Sequence, residues 1–194
     1  MSITTQYPII EELESNNSRL FKEDVIKREA EQDNIDFFEG CQLALDPMVS
    51  FGVKQVPERS DIDGQGLSWG EFCDLADQLQ KRELTGHAAR DAILEAMLQS
   101  HDAEWNKWYR RILIKDLRCG VSEKTINNVV KKVNKDYTIP VFKCMLAHDS
   151  ANHEKKLVGE KLLDYKLDGV RVLAIYDAEA DAVTMYSRNG KQFI

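Results

Sequence analysis

The chain has no apolar run approaching the roughly 18 residues that a bilayer-spanning helix needs. Its opening residues, MSITTQYPII, lack both the basic start and the long apolar stretch of a secretory signal. Cysteine is scarce: Cys41, Cys73, Cys119 and Cys144 are scattered through 194 residues, and no C-x-x-C pair occurs. Neither a zinc site nor a disulfide framework is indicated. Four reduced thiols in a cytoplasmic-type compartment is the reading that follows. An excess of positive charge is also missing, because the net charge is −7. Taken alone, that argues against a nucleic-acid partner.

The distribution of charge reverses that argument. Residues 1–104 carry 9 basic and 22 acidic side chains, residues 105–143 carry 10 and 3, and residues 144–194 carry 7 and 8. Exposed charges separated by more than a Debye length of about 8–10 Å are largely screened, so local sign governs attraction to phosphate. A hydrophobic content of 43 % with 30 % charged residues is ordinary for a globular chain that can bury a sizeable core.

Residues 1–138 read as a helical domain and 139–194 as the start of a second, strand-containing one. Glu11–Gln32 and Ile35–Leu45 have helical patterning, and 50–67 reads as a long loop rich in glycine. Gly64-Gln65-Gly66 is not a dinucleotide fingerprint, since the third glycine, Gly70, comes one place late and no strand precedes it. Ser68-Trp69-Gly70-Glu71 is a capping box that opens a helix to about 82. Thr85 can cap another over about 87–99. The spacing predicts a helix over about 103–118, with Tyr109, Leu113 and Leu117 on one face and Arg111, Lys115 and Arg118 on the other. Gly120 is the natural stop. Ser122 then caps a helix over about 123–135, carrying Lys124, Lys131, Lys132 and Lys135 around Ile126, Val129, Val130 and Val133. Trp69, Trp105 and Trp108 fall on apolar faces and read as core. His148 and His153 have too few companions for a metal site. Beyond Asp136, Lys161–Leu167, Val170–Asp177 and Ala182–Arg188 are strand-like, with a turn over Ala178–Asp181. Some 50 residues with three strands are too few to close a nucleotide pocket, so a longer protein is expected.

Lys166-Leu167-Asp168-Gly169-Val170-Arg171 sets a lysine before a tight Asp-Gly turn, with an arginine opening the next strand. A free lysine amine is a nucleophile, and a cationic neighbour or partial desolvation lowers its pKa from about 10.4. K-x-D-G-x-R resembles the first motif of the covalent nucleotidyltransferases: ATP-dependent DNA ligases, RNA ligases and capping enzymes. Ser187-Arg188-Asn189-Gly190 resembles the second motif of the ligase branch. Leu84-Thr85-Gly86, Lys115-Asp116-Leu117-Arg118-Cys119-Gly120 and Met145-Leu146-Ala147 follow in the order seen in DNA ligases with an N-terminal helical domain, of the tailed-bacteriophage type.

The resemblance implies a mainly α DNA-binding domain followed by the first strands of an α+β adenylation domain. It implies that Lys166 is adenylated by ATP, with AMP then passed to the 5′-phosphate of nicked duplex DNA. Asp164, Arg171 and Arg188 would bind nucleotide, and Asp168 and Gly169 would shape the turn. Asp164 stands where the family usually has glutamate or glutamine, one methylene longer. Arg111, Lys115, Arg118, Lys131 and Lys132 would neutralise duplex phosphates, with Gly120 and Ser122 offering backbone amides at a helix start. Mg²⁺ ligands are expected outside these 194 residues. A monomer in the cytoplasm is expected, with no membrane partner. A DNA-binding protein that has lost ligase chemistry and an RNA-directed transferase are the rival readings.

Overall fold

The computed structural model describes residues 5–60, 64–142, 144, 148–162, 164, 165, 168–188, 190, 192 and 193. The chain divides into two compact units, Met1–Val141 and Phe142–Ile194. The first is helical: α1 (Tyr7–Ser15), α2 (Arg19–Glu31), α3 (Ile35–Leu45), α4 (Trp69–Gln80), α5 (Gly86–Gln99), α6 (Asp102–Glu104), α7 (Arg110–Leu113) and α8 (Glu123–Val133). A π-helical turn, Trp105–Tyr109, joins α6 to α7 in one continuous rod. The second unit contains an antiparallel ribbon of β1 (Val172–Asp177) and β2 (Ala182–Ser187), paired from Val172 opposite Ser187 to Asp177 opposite Ala182. This mostly helical chain with two antiparallel C-terminal strands is the class that the sequence pattern indicates. Among the described residues, no helix is long and apolar enough to cross a membrane.

The helical core is built around aromatic rings on the 102–113 rod. The widened π turn brings Trp105, Trp108 and Tyr109 inward, each with almost no exposed surface. Trp108 stacks on Phe37 with ring centroids 5.9 Å apart, and Tyr109 stacks on Phe72 at 4.4 Å. Gly40 makes room for this packing, because a Cβ there would lie 2.2 Å from Trp108 Cζ2. Trp69 is only partly buried, beside Trp108 and Tyr109.

Caps follow the sequence in most places. Ser68 and Glu71 form both halves of the capping box on α4. Ser122 Oγ accepts from the Thr125 amide at the start of α8. Thr85 occupies the N-cap of α5, but its side chain makes no capping bond. The start of α1 is closed from a distance: the buried Glu104 carboxylate accepts from the amides of Gln6 (3.0 Å) and Tyr7 (3.3 Å). Burial raises the Glu104 pKa, and those two amides oppose the shift.

The helix expected to run to about 118 stops at Leu113. Lys115 adopts a left-handed backbone (φ 62°), and its amide donates to Ile112 O while that of Asp116 donates to Arg111 O. This is the double-bonded left-handed helix stop that glycine usually provides. A lysine holds it here because its Nζ donates to Leu43 O (2.7 Å) and Asp46 O (2.6 Å), at the end of α3. Arg118 (φ 54°) and Gly120 (φ 67°) are also left-handed, so 114–122 is a looped connection, not a helical turn.

In the second unit the ribbon begins at Val172 and ends at Ser187, slightly inside the expected limits. Asp177 Oδ1 accepts from the Glu179 and Ala180 amides, which forms the turn. The strand anticipated over 161–167 is not formed at 161, 162, 164 or 165, and the other three positions lie outside the described residues.

Candidate functional site

Two sets of residues bear on function, one in each unit. In the helical unit, Arg111, Lys115 and Arg118 do not share one basic face, because the helix ends before two of them. Arg111 is turned inward, ion-paired with Glu14 (2.7 Å) and donating to Leu117 O (2.9 Å). Lys115 is turned inward as well, with its ammonium 5.8 Å from the centre of the Phe51 ring. Burial lowers its pKa to about 8, against an opposing pull from Asp46. Arg118 is exposed, 3.8 Å from Asp116, and its amide donates to Asp116 Oδ1 (3.0 Å). Lys22 also supports this connection from inside, donating to Cys119 O (2.6 Å). A Cβ at Gly120 would lie 2.5 Å from the Lys22 ammonium, so this position accepts only glycine without rearrangement. Three internal cations thus hold the 114–122 backbone, and Arg118 is the side chain it sends outward.

On α8, Lys124, Lys131 and Lys132 are exposed, while Ile126, Val129 and Val130 are buried. Val133, expected in the apolar stripe, is exposed. The groove beside Lys132 is charge-balanced. Arg19, Lys27 and Lys132 face Glu23, Asp24 and Glu31, and Arg19–Glu23 and Lys27–Glu31 are already paired.

A second groove, of about 680 Å³, was not visible in the sequence pattern. It gathers Lys54, Arg90, Arg110 and Arg118 from four separate segments, with Asp116 as its sole acid. The 46–68 loop is fixed against the 97–110 segment by several bonds. Trp105 Nε1 donates to Pro57 O (2.9 Å), Arg110 Nε to Val56 O (3.0 Å), and Tyr109 Oη to Leu67 O (3.0 Å). Arg59 and Asn106 exchange two bonds of 2.9 Å, and the Arg59 guanidinium caps the carbonyl end of α5 at Leu98 O (2.8 Å). Each residue is 40 or more positions from its partner, so no local motif announces the groove. A different cavity, lined by Glu71, Asp91 and Glu95, has acidic walls and does not suit an anion.

In the second unit, Lys166 lies outside the described residues, as do Leu167 and Asn189. Asp164, Asp168, Gly169, Arg171 and Arg188 are exposed. The thiol of Cys144 connects the two motifs: it lies 3.8 Å from Arg171 Nη1 and donates to Arg188 O at 3.6 Å. The arginine of the first motif is therefore close to the backbone of the second. Cys144 was not singled out by sequence reasoning, and nothing in its spacing would have done so. His148 and His153 meet edge to face at 5.0 Å. Among the described residues, no group of three His, Cys, Asp or Glu side chains could hold a metal ion.

No family model matches the chain. Over 68 residues it is 37 % identical to DNA ligase 4 of Arabidopsis thaliana, a stretch that covers 35 % of this chain and 5 % of that protein. Two solved ligase structures, Pmar-Lig_PreS3 and Pmar-Lig_Pre, are similar over 97 % of this chain at 57 % identity, with TM-scores of 0.80 and 0.79. This chain spans 43 % of each of those. Together these likenesses support a relationship to the DNA ligases, along nearly the whole of this chain and less than half of the solved relatives.

Proposed function

We propose that this protein is an ATP-dependent DNA ligase that seals nicks in duplex DNA through an adenylated lysine. One observation carries the reading: K-x-D-G-x-R and S-R-N-G, ending in Arg171 and Gly190, follow a helical unit whose exposed basic groups cluster late in the chain. The 57 % identity to ligase structures over almost all of this chain supports it. The finer likeness to the tailed-bacteriophage type rests on the sequence motifs alone.

The chemistry runs through Lys166 Nζ. The neutral amine attacks the α-phosphorus of ATP, a P–N bond forms, the bond to pyrophosphate breaks, and the amine gives up a proton. The 5′-phosphate of the nick then displaces the lysine, and the 3′-hydroxyl displaces AMP. Arg171 and Arg188 would meet phosphate or ribose, Asp164 would face the adenine, and Asp168 with Gly169 would shape the turn beside Lys166. Mg²⁺, when bound, supplies charge neutralisation and orients the leaving group. The described residues offer no ligand cluster for that ion, so no step is assigned to it here.

In the helical unit, Arg118, Lys131 and Lys132 are exposed cations available to phosphate, with the Ser122 helix start beside them. Arg111, Lys115 and Gly120 act indirectly, by fixing the backbone that presents Arg118. The decisive experiment is intact-mass analysis with peptide mapping of the longest natural form of the protein after incubation with ATP and Mg²⁺. One AMP on Lys166, lost in Lys166→Ala, is expected. A folded protein that binds duplex DNA without forming the adduct would instead be a non-catalytic binder. Transfer only to RNA ends would favour the RNA-directed class.

A further inference from the structure

We propose that the phosphodiester backbone of duplex DNA seats in the groove walled by Lys54, Arg90, Arg110 and Arg118, not along the α8 lysines Lys131 and Lys132. The inference rests on the DNA-directed reading above and goes beyond it by choosing between two basic surfaces.

Charge balance is the first argument. The groove has four cations against one acid, whereas the surface beside Lys132 has three cations facing three acids. A phosphate approaching Lys132 meets carboxylates at similar range, and the attraction largely cancels. Rigidity is the second argument. Arg110 is held by Val56 O and by Glu58 (3.1 Å), with only 14 % of its side chain exposed. Arg118 projects from a backbone fixed by Lys22, Arg111 and Lys115. Cations that are already positioned lose little conformational freedom on binding.

The lining also distinguishes duplex from single strand. The floor is aliphatic (Val56, Pro57, Leu94, Ile114), and no aromatic ring lines the groove. Recognition of single strands depends on stacking bases on aromatic rings. An aliphatic floor between cations instead fits a sugar–phosphate backbone whose bases stay paired. Gln55 adds a side-chain amide that can donate to phosphate or sugar oxygens. Asp116 works against binding, with its charge partly offset by Arg118 at 3.8 Å.

The test is fluorescence anisotropy of the whole 194-residue chain on a short labelled duplex, across a series of salt concentrations. Lys54→Glu with Arg90→Glu changes two exposed side chains and leaves the core untouched. This pair is expected to weaken binding roughly tenfold or more and to lower the salt slope by about two. Lys131→Glu with Lys132→Glu is expected to weaken it by less than about threefold, with little change in slope. Asp116→Asn keeps the acceptor for the Arg118 amide and is expected to tighten binding roughly twofold. Unlabelled single strand should compete poorly against the duplex. Circular dichroism establishes that each variant is folded. If the Lys54/Arg90 pair binds like the parent while the Lys131/Lys132 pair fails, the groove is wrong and the ligase reading stands. If single strand competes as well as duplex, the choice of duplex is wrong. If the unaltered chain ignores duplex DNA at low salt, the groove and the DNA-directed reading of this unit fall together.

Discussion

The two units of this chain solve the problem of burial very differently. In the helical unit, apolar side chains from Ile10 to Ile139 close into one core. In the second unit, the described residues contribute no buried apolar side chain. Leu162, Tyr165 and Val170 are largely exposed, and so are Val172 and Tyr176 on one ribbon face and Ile175 on the other. An isolated two-stranded ribbon is at best marginally stable in water, because neither face is covered. The contrast shows that dense packing and the proposed chemistry are separated along this chain. One unit can hold groups rigidly by itself, and the other presents its motif arginines on exposed backbone.

Deleting a core ring should break the comparison most clearly. Trp108→Ala removes a fully buried indole stacked on Phe37 and is expected to cost about 3–5 kcal/mol in urea unfolding followed by circular dichroism. Tyr176→Ala on the ribbon should change that same unfolding by less than about 0.5 kcal/mol. Equal effects would mean that the units are energetically one. Next in size, Glu104→Ala leaves the Gln6 and Tyr7 amides without their acceptor in the interior, a loss of about 2–4 kcal/mol. Hydrogen exchange should then show α1 opening ahead of the rest.

Lys115 sharpens the comparison, since it is a charge that the helical unit can afford to hold inside. Lys115→Met removes two bonds to carbonyls and should cost about 1–3 kcal/mol at neutral pH. The pH dependence has a definite sign. Burial depresses the folded-state pKa from 10.5 to about 8, so between those values the unfolded chain binds more protons than the folded one. Stability owed to Lys115 therefore rises through that window as the desolvation penalty is relieved. Urea melts of parent and variant at either end of the window should show a widening gap. A narrowing gap would mean that the Leu43 and Asp46 carbonyls favour the charged ammonium enough to outweigh burial. Smallest in effect is Ser122→Ala, which removes the α8 cap and should cost about 1 kcal/mol in the same melts.

Much of the fold was legible because its signals are local. The Ser68–Glu71 box, the Ser122 cap, the tryptophan positions and the alternation in 172–187 each depend on neighbours within a few residues. The end of the 102–113 rod was not legible. Periodicity favoured helix through 118 and glycine was the expected stop, yet a lysine took the left-handed position by bonding to carbonyls 69 and 72 positions away. That single event removed the basic helix face and turned Lys115 inward. The groove of Lys54, Arg90, Arg110 and Arg118 was missed for a related reason. Its members come from segments that meet only when Arg59, Asn106 and Trp105 anchor the long loop.

By itself, the sequence determined the helical-then-strand order, the capped helix starts, the aromatic core positions and the motif pair around Arg171 and Arg188. These depend on residue type, spacing and short-range hydrogen bonding. Only the tertiary structure decided which cations are spent inside and which face outward. A charged side chain's fate depends on carbonyls and carboxylates that arrive from distant parts of the chain. Lys22, Arg111 and Lys115 found such partners and became internal supports. Arg118, Lys54 and Arg90 remained on the surface, where a phosphate can reach them.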